Sequence, residues 1–225
     1  KELNVSIQLP YKIDIRERMY FNQRLEGAYM FVPGTMALIL ILISALMTSI
    51  SITREKEFGT MEALLASPLK PVHIILGKVT PYILLAFINA IIIILLGYFI
   101  FALPVNGSIS LLLFVNILYV TLSLALGIFI STIATNQQMA MFISMLGLML
   151  PTLLLSGFIF PIENMPAVLQ WLSTIMPARW FITSLKHIMI KGTGILFIWK
   201  ELLILTGMTL LFLFMSIKRF KERLE

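Results

Sequence analysis

The residues that can do chemistry are concentrated in one charge-dense segment, Arg54-Glu55-Lys56-Glu57-Phe58-Gly59-Thr60-Met61-Glu62. From Val79 to Ile162, in contrast, there is no Asp, Glu, Lys, Arg or His. Ion-driven transporters usually keep ionisable side chains near the bilayer midplane, and an intramembrane hydrolase needs titratable groups or metal ligands there. We therefore expect no catalytic residue in the apolar part, and we expect any energy to enter through the charged segment.

The composition predicts one polytopic, all-α membrane domain. The chain is 59% hydrophobic and 12% charged, with a mean hydropathy of +0.97, whereas a soluble domain carries about 25% charged residues. The net charge of +6 is typical of a chain whose Lys and Arg retain cytoplasmic loops. The one dense basic cluster, at residues 218–223, directly follows an apolar run and does not predict nucleic-acid binding. There is no cysteine, and His73 and His187 lie in different segments, so no metal site is expected.

Five segments are long and apolar enough to cross the hydrocarbon, which takes roughly 20 apolar residues. We place these spans at about residues 32–52, 79–101, 110–131, 139–160 and 195–217, which together form a permease-like domain over residues 32–225. Pro151 lies inside the fourth span and predicts a kink there.

Two further segments lie outside the spans. Leu3, Val5, Ile7 and Leu9 alternate with polar residues, so residues 1–31 are predicted to be the β-containing end of an external domain. Residues 161–194 are too polar to span and too apolar for a free loop, and we expect two short external helices at about 166–176 and 178–190. The chain begins at Lys1 rather than Met, which we interpret as a C-terminal portion of a longer protein.

The orientation follows from the short loops. The loop from Arg54 to Lys78 carries four basic residues, and the loop from Ala102 to Ile109 carries none. The positive-inside rule therefore places the first loop and the C-terminus in the cytoplasm.

Uncharged polar residues inside the spans have two interpretations. They either line a substrate path or hydrogen-bond one helix to another, which is the commoner use; they are Asn89, Asn116, Thr121 and Ser144. Ser123, Gly127 and Ser131 recur at four-residue spacing, as in close helix packing, within one chain or at a dimer seam. Glu163 either lines an external vestibule or lies on a solvated turn.

The charged segment also has helical spacing. As a helix, residues 54–69 place Phe58, Met61 and Leu65 on one face, with Pro68 and Pro71 ending it. One interpretation is an ordinary juxtamembrane helix whose charges face water.

The other interpretation comes from a family resemblance. Glu55-Lys56-Glu57-Phe58-Gly59-Thr60-Met61-Glu62, followed by Leu-Leu and Ser-Pro, resembles the cytoplasmic motif of type-2 ABC exporter permeases. Val32-Pro33-Gly34, Phe160-Pro161-Ile162-Glu163-Asn164-Met165-Pro166 and Pro177-Ala178-Arg179-Trp180-Phe181 resemble further elements of that family. The resemblance covers nearly the whole chain from Val32 onward. Such permeases have six helices with a large external domain between the first and second, so our five spans would be the second to the sixth.

The resemblance implies a coupling helix that docks into a separate ATP-binding subunit. Arg54, Glu55, Glu57, Phe58, Gly59, Thr60, Met61, Glu62 and Leu65 would form the docking surface. ATP and Mg would be bound by that partner, because this chain has no Gly-x-x-x-x-Gly-Lys-(Ser/Thr) loop and no cofactor of its own is expected. A second permease, as a homodimer or heterodimer, and membrane lipid are the other expected partners.

The expected function is export of small amphipathic or drug-like compounds across the bacterial plasma membrane. Two alternatives remain at this point: a membrane anchoring or assembly subunit that transports nothing, and export of a lipid or polysaccharide by the same architecture. An intramembrane enzyme is disfavoured, since no catalytic constellation lies in any span.

Overall fold

The computed structural model describes residues 26–60 and 71–222, and their regular structure is helical throughout. Five helices are long and apolar enough to cross a membrane, which confirms the five predicted spans. They are α1 (Ala28–Glu57), α2 (Pro71–Phe99), α3 (Ile109–Ile133), α4 (Gln137–Leu155) and α7 (Trp199–Glu222). The strand predicted from the alternation of Leu3 to Leu9 lies outside the described residues.

Helix α3 is the centre of the bundle. It packs against α1 on one side and α7 on the other, and it is the most buried of the five. Ser123, Gly127 and Ser131 are all buried on it. A Cβ added to Gly127 would lie 2.6 Å from the backbone oxygen of Ala45, so only glycine allows α1 this close.

Helix α1 is longer than its apolar core. It starts at Ala28, four residues before the predicted span, and continues through Glu57. The sequence suggested that a separate helix starts at Arg54. In the structure Arg54–Glu57 belong to α1, and the break between helices lies at Phe58–Gly59. Gly59 has a φ of +70°, a conformation that commonly ends helices. Thr60 is again helical.

Helix α4 is irregular at its middle. The irregularity expected at Pro151 takes the form of a π-turn at Met145–Met149, directly before Leu150–Leu155. Proline has no N–H to donate to the carbonyl four residues back, so a regular α-turn would lose a hydrogen bond here. Ser144, just before the π-turn, contacts α1 through a 3.0 Å hydrogen bond with Ser49.

The predicted pair of short helices is present as α5 (Ala167–Ser173) and α6 (Pro177–Met189). Arg179 and the Trp180 indole N–H tie α6 to α5 by donating to the backbone oxygens of Gln170 and Thr174, at 3.0 and 2.9 Å. The apolar face of α6 docks onto the bundle, where Phe181 stacks on Tyr119 of α3 with ring centroids 3.9 Å apart. The Tyr119 hydroxyl donates to the backbone oxygen of Ala37, at 3.1 Å.

The fifth span begins later than predicted. Residues Ile195–Phe197 form a 3-10 turn, and α7 starts at Trp199. Large apolar side chains cover the outward faces of α2, α4 and α7, as expected for helices that contact lipid or another membrane subunit.

Candidate functional site at the end of helix α1

The charged segment lies where five helix ends meet. Helices α1, α3 and α7 end there, and α2 and α4 begin there. We call this the motif end of the bundle. The Arg219 guanidinium of α7 lies 5.5 Å from the centre of the Phe129 ring of α3, so the end of α7 shares the motif end with the charged segment.

Glu55 joins α1 to α2. Its Oε1 lies 2.6 Å from the Lys78 ammonium, and its Oε2 accepts a hydrogen bond from the Thr60 hydroxyl. The same hydroxyl approaches the Glu55 backbone oxygen at 3.3 Å. One carboxylate therefore holds α2 and the residue after the helix break.

Lys56 joins α1 to α3. Its ammonium donates a hydrogen bond to the backbone oxygen of Ser131, in the last turn of α3. Carbonyl groups in the last turn of a helix lack an intrahelical partner and carry partial negative charge, so a lysine is well suited to this position.

Glu57 joins α1 to α4. Its Oε2 accepts hydrogen bonds from the backbone N–H and the side-chain amide of Gln137, both at 3.0 Å. Asn136 caps the same helix, since its side-chain oxygen accepts from the Met139 N–H at 2.8 Å. The two contacts satisfy orphan N–H groups of the first turn of α4 and place negative charge at its positive end.

Three consecutive residues thus bond to three different helices. Helical geometry explains this, because successive side chains point about 100° apart around the axis. Glu55, Lys56 and Glu57 therefore face three directions, and each direction meets a different neighbour. We call this arrangement the three-way junction.

Arg54 and Phe58 are exposed and contact each other, whereas Glu55, Lys56 and Glu57 bond to neighbouring helices. The guanidinium lies 5.8 Å from the centre of the Phe58 ring, and Phe58 is 65% exposed. Gly59 has open space around its Cα, so its role is conformational. Met61, Glu62 and Leu65 lie outside the described residues.

The polar residues singled out in the spans do not form one site. Ser144 bonds to Ser49 of α1, and Thr121 donates to the Ile117 oxygen within α3 at 2.8 Å. The Asn116 amide donates to the Leu112 oxygen at 2.7 Å, while its buried Oδ1 has no hydrogen-bond partner within the described chain. Asn89 is half-buried on α2. Within residues 26–60 and 71–222, no three His, Cys, Asp or Glu side chains cluster as metal ligands would.

Sequence reasoning missed the partners of the charged segment. Lys78 and Gln137 carry no signal of their own in the sequence, although Lys78 is the last charge before the uncharged stretch and Gln137 follows the capping Asn136. Ser131 was expected to contribute only a small side chain, whereas its backbone oxygen also accepts from Lys56.

Comparison with known proteins agrees with this architecture. The sequence profile described as ABC-2 type transporter matches residues 8–190. The chain is 33% identical over 213 residues to the probable multidrug ABC transporter permease YbhS of Escherichia coli K12, covering 95% of this chain and 56% of that protein. It is 34% identical over 203 residues to the probable multidrug ABC transporter permease YbhR of the same strain, covering 89% and 55%.

A further relative is the inner membrane transport permease YhhJ of Escherichia coli K12, 28% identical over 214 residues, with 93% of this chain and 56% of that protein covered. No solved structure gives a significant match. The chain spans a little over half the length of these curated relatives. The family match covers most of the chain, and four of the five membrane-length helices begin within it, so this protein belongs to the ABC-2 type transporter family and is a type-2 ABC permease.

Proposed function

We propose that this chain is the membrane-spanning part of an ATP-driven exporter, powered by a separate ATP-binding subunit that docks on the segment after α1. The observation that carries the proposal is the three-way junction, in which Glu55, Lys56 and Glu57 tie the end of α1 to α2, α3 and α4. A displacement of the docked segment would then reach four helices at once. Such a device suits a permease that has no Asp, Glu, Lys, Arg or His between Val79 and Ile162 to drive movement.

The exposed residues next to the junction suit docking. Phe58 is 65% exposed at the turn and Arg54 lies against its ring, so an apolar ring and a charge are presented together. Aromatic and Arg side chains commonly anchor protein interfaces. In this proposal the junction residues hold the helices, and Phe58 with residues 60–69 contacts the partner.

The sidedness, cargo and assembly are part of the same proposal. The motif end and the end of α7 face the cytoplasm, where ATP is available, as the basic loop from Arg54 to Lys78 favours. Two relatives bear names that include multidrug, which favours small amphipathic or drug-like cargo for this chain too. A second permease completes the path, with apolar faces of the bundle as its contact surface.

The test is a pull-down of the full-length protein from mild detergent, with mass spectrometry of the proteins recovered. We expect an ATP-binding-cassette subunit to be recovered with the native protein. Phe58→Ala and Glu62→Arg should each reduce its recovery at least about tenfold, the effect of losing an interface anchor. Leu196→Ala is the matched control, since Leu196 is 83% exposed in the 3-10 turn before α7.

Recovery of the ATPase with all three variants alike would contradict docking at Phe58. If no ATPase is recovered under gentle conditions, the exporter proposal fails, and an anchoring or assembly subunit becomes the better explanation of the fold.

A further inference from the structure

A charged pocket lies at the end of the bundle opposite the motif end. Its volume is about 280 Å³, near the lower end of the range for small-ligand pockets. The start of α1, the segment after α4, the 3-10 turn Ile162–Asn164 and α6 enclose it. Its walls combine apolar side chains with titratable ones, the latter being Glu163, Lys186, His187 and Lys191. We call it the lysine pocket.

No carboxylate of the described chain forms a salt bridge with either lysine of this pocket. Within the described chain, neither Lys186 nor Lys191 has a carboxylate oxygen within 4 Å. Lys186 is half-buried, and burial lowers its pKa from the ordinary value, while the more distant Glu163 carboxylate opposes this shift. A half-buried cation without a partner is costly, and an anion bound beside it would recover that cost.

His187 contacts one of the two lysines. The Lys191 ammonium lies 3.2 Å from Nε2 of His187. Because an ammonium can only donate, Nε2 accepts and the proton of the neutral ring is on Nδ1. Nδ1 is buried and has no hydrogen-bond partner among the described residues, which is unusual for a buried N–H group. The lining of the pocket therefore carries two ammonium groups and the one carboxylate of Glu163.

The apolar wall suggests what the anion is attached to. Met30, Ile162 and Ile182 line the pocket beside the charged groups. A ligand that satisfies both walls carries one anionic group and an apolar body, as an amphiphile does.

We propose that the lysine pocket binds the anionic group of an amphiphile, a carboxylate or a phosphate monoester, between Lys186 and Lys191, with its apolar body against Met30, Ile162 and Ile182. The site makes no contact with the motif end and needs no ATP to be occupied. A negative result for binding at the lysine pocket can therefore be distinguished from failure of the exporter proposal.

The test is binding of dodecyl phosphate to the full-length protein in dodecyl maltoside, measured by thermophoresis at neutral pH. Lys186→Gln and Lys191→Gln should each weaken binding by about tenfold, as expected for loss of one charge-assisted hydrogen bond. Glu163→Gln should strengthen binding, because it removes the one negative charge of the pocket wall. Lys200→Gln is the matched control, since Lys200 is an exposed lysine in the first turn of α7, over the Trp199 ring.

Three results would contradict the proposal. Equal binding by the native protein and both pocket lysine variants would overturn the proposal, as would weaker binding by Glu163→Gln or equal binding of dodecyltrimethylammonium. Lys191 is exposed, so Lys191→Gln keeps the test valid even if Lys186→Gln unfolds.

Competition by inorganic phosphate would support a free anion as the source. Stronger thermal protection in phosphatidylglycerol than in phosphatidylcholine nanodiscs would support a lipid headgroup.

Discussion

One carboxylate oxygen of Glu57, at the end of α1, accepts both the backbone N–H and the side-chain amide of Gln137, at the start of α4, each at 3.0 Å. These residues are 80 positions apart in the sequence. The contact makes the orientation of α4 depend on the last turn of α1. Glu57 is therefore a positioning residue, whose effect on α4 can be separated from docking of a partner.

The first prediction concerns this contact. Glu57→Ala removes the acceptor of the Gln137 N–H, so we expect faster hydrogen exchange in the first turn of α4, measured by mass spectrometry of peptides covering 137–144. Glu163→Ala, at a carboxylate far from α4's start, should leave these peptides unchanged. If the proposed coupling holds, Glu57→Ala keeps its ATPase partner in a pull-down but transports more slowly. Unchanged exchange at α4 would show that Asn136 alone caps the helix.

The second prediction concerns the close contact of α1 and α3. Gly127→Ala places a methyl group 2.6 Å from the Ala45 oxygen, which backbone movement must relieve. We expect a loss of about 1–3 kcal/mol, as for overpacked cores, seen as a lower midpoint of thermal unfolding in detergent. Gly207→Ala is the control, because nothing lies within 4 Å of its added Cβ and alanine favours helix. Equal stability of the two variants would contradict tight packing at Gly127.

The third prediction separates two contributions of Tyr119. Tyr119→Phe keeps the stack on Phe181 but loses the hydrogen bond to the Ala37 oxygen, at a cost of about 1 kcal/mol. Tyr119→Leu also loses the aromatic stack and should cost about 1 kcal/mol more. The measurement is again the unfolding midpoint. If Tyr119→Phe is as damaging as Tyr119→Leu, the hydrogen bond of the hydroxyl to α1 contributes the stability and the stack on α6 does not.

The fourth prediction is a pH dependence at His187. Burial and the neighbouring Lys191 ammonium lower the pKa of His187, and the Glu201 carboxylate opposes them; Lys186 and Glu163 line the same pocket. A lowered pKa means that the unfolded chain takes up the proton more readily. The contribution of His187 to stability is therefore complete above the ordinary histidine pKa of about 6.5 and is lost as the pH falls below it.

This dependence is measured as the difference in unfolding midpoint between pH 8 and pH 5.5. His187→Gln should match the native protein at pH 8 and lose less stability at pH 5.5. If the variant and the native protein respond to pH in the same way, His187 does not cause the pH dependence of stability.

Hydropathy sufficed to predict the number and order of the long helices, because a bilayer demands about 20 apolar residues whatever the tertiary structure. It could not predict the three-way junction. The partners of Glu55, Lys56 and Glu57 are 23, 75 and 80 residues away in the sequence, and they include a backbone oxygen that has no sequence signature.

The ends of the helices were also predicted incorrectly from the sequence. The charges of Arg54–Glu57 suggested the start of a new helix, since acidic residues favour a helix N-terminus. In the structure Glu55, Lys56 and Glu57 are instead bonded to neighbouring helices, and α1 continues through Glu57. The sequence allowed two interpretations of Ser144, a position on a substrate path or a contact between helices. The hydrogen bond with Ser49 of α1 favours the second interpretation.

The three-way junction also sets a rule for the length of this segment. A single residue inserted between Ile52 and Glu55 would turn every later side chain by about 100° and would move Glu55 and Lys56 to the positions that Lys56 and Glu57 now occupy. Glu57 would then face away from Gln137, and a carboxylate would meet the carbonyl end of α3 in place of Lys56. Substitutions here alter one contact at a time, whereas insertions and deletions scramble all three, so the phase of the helix constrains this segment more tightly than its composition does.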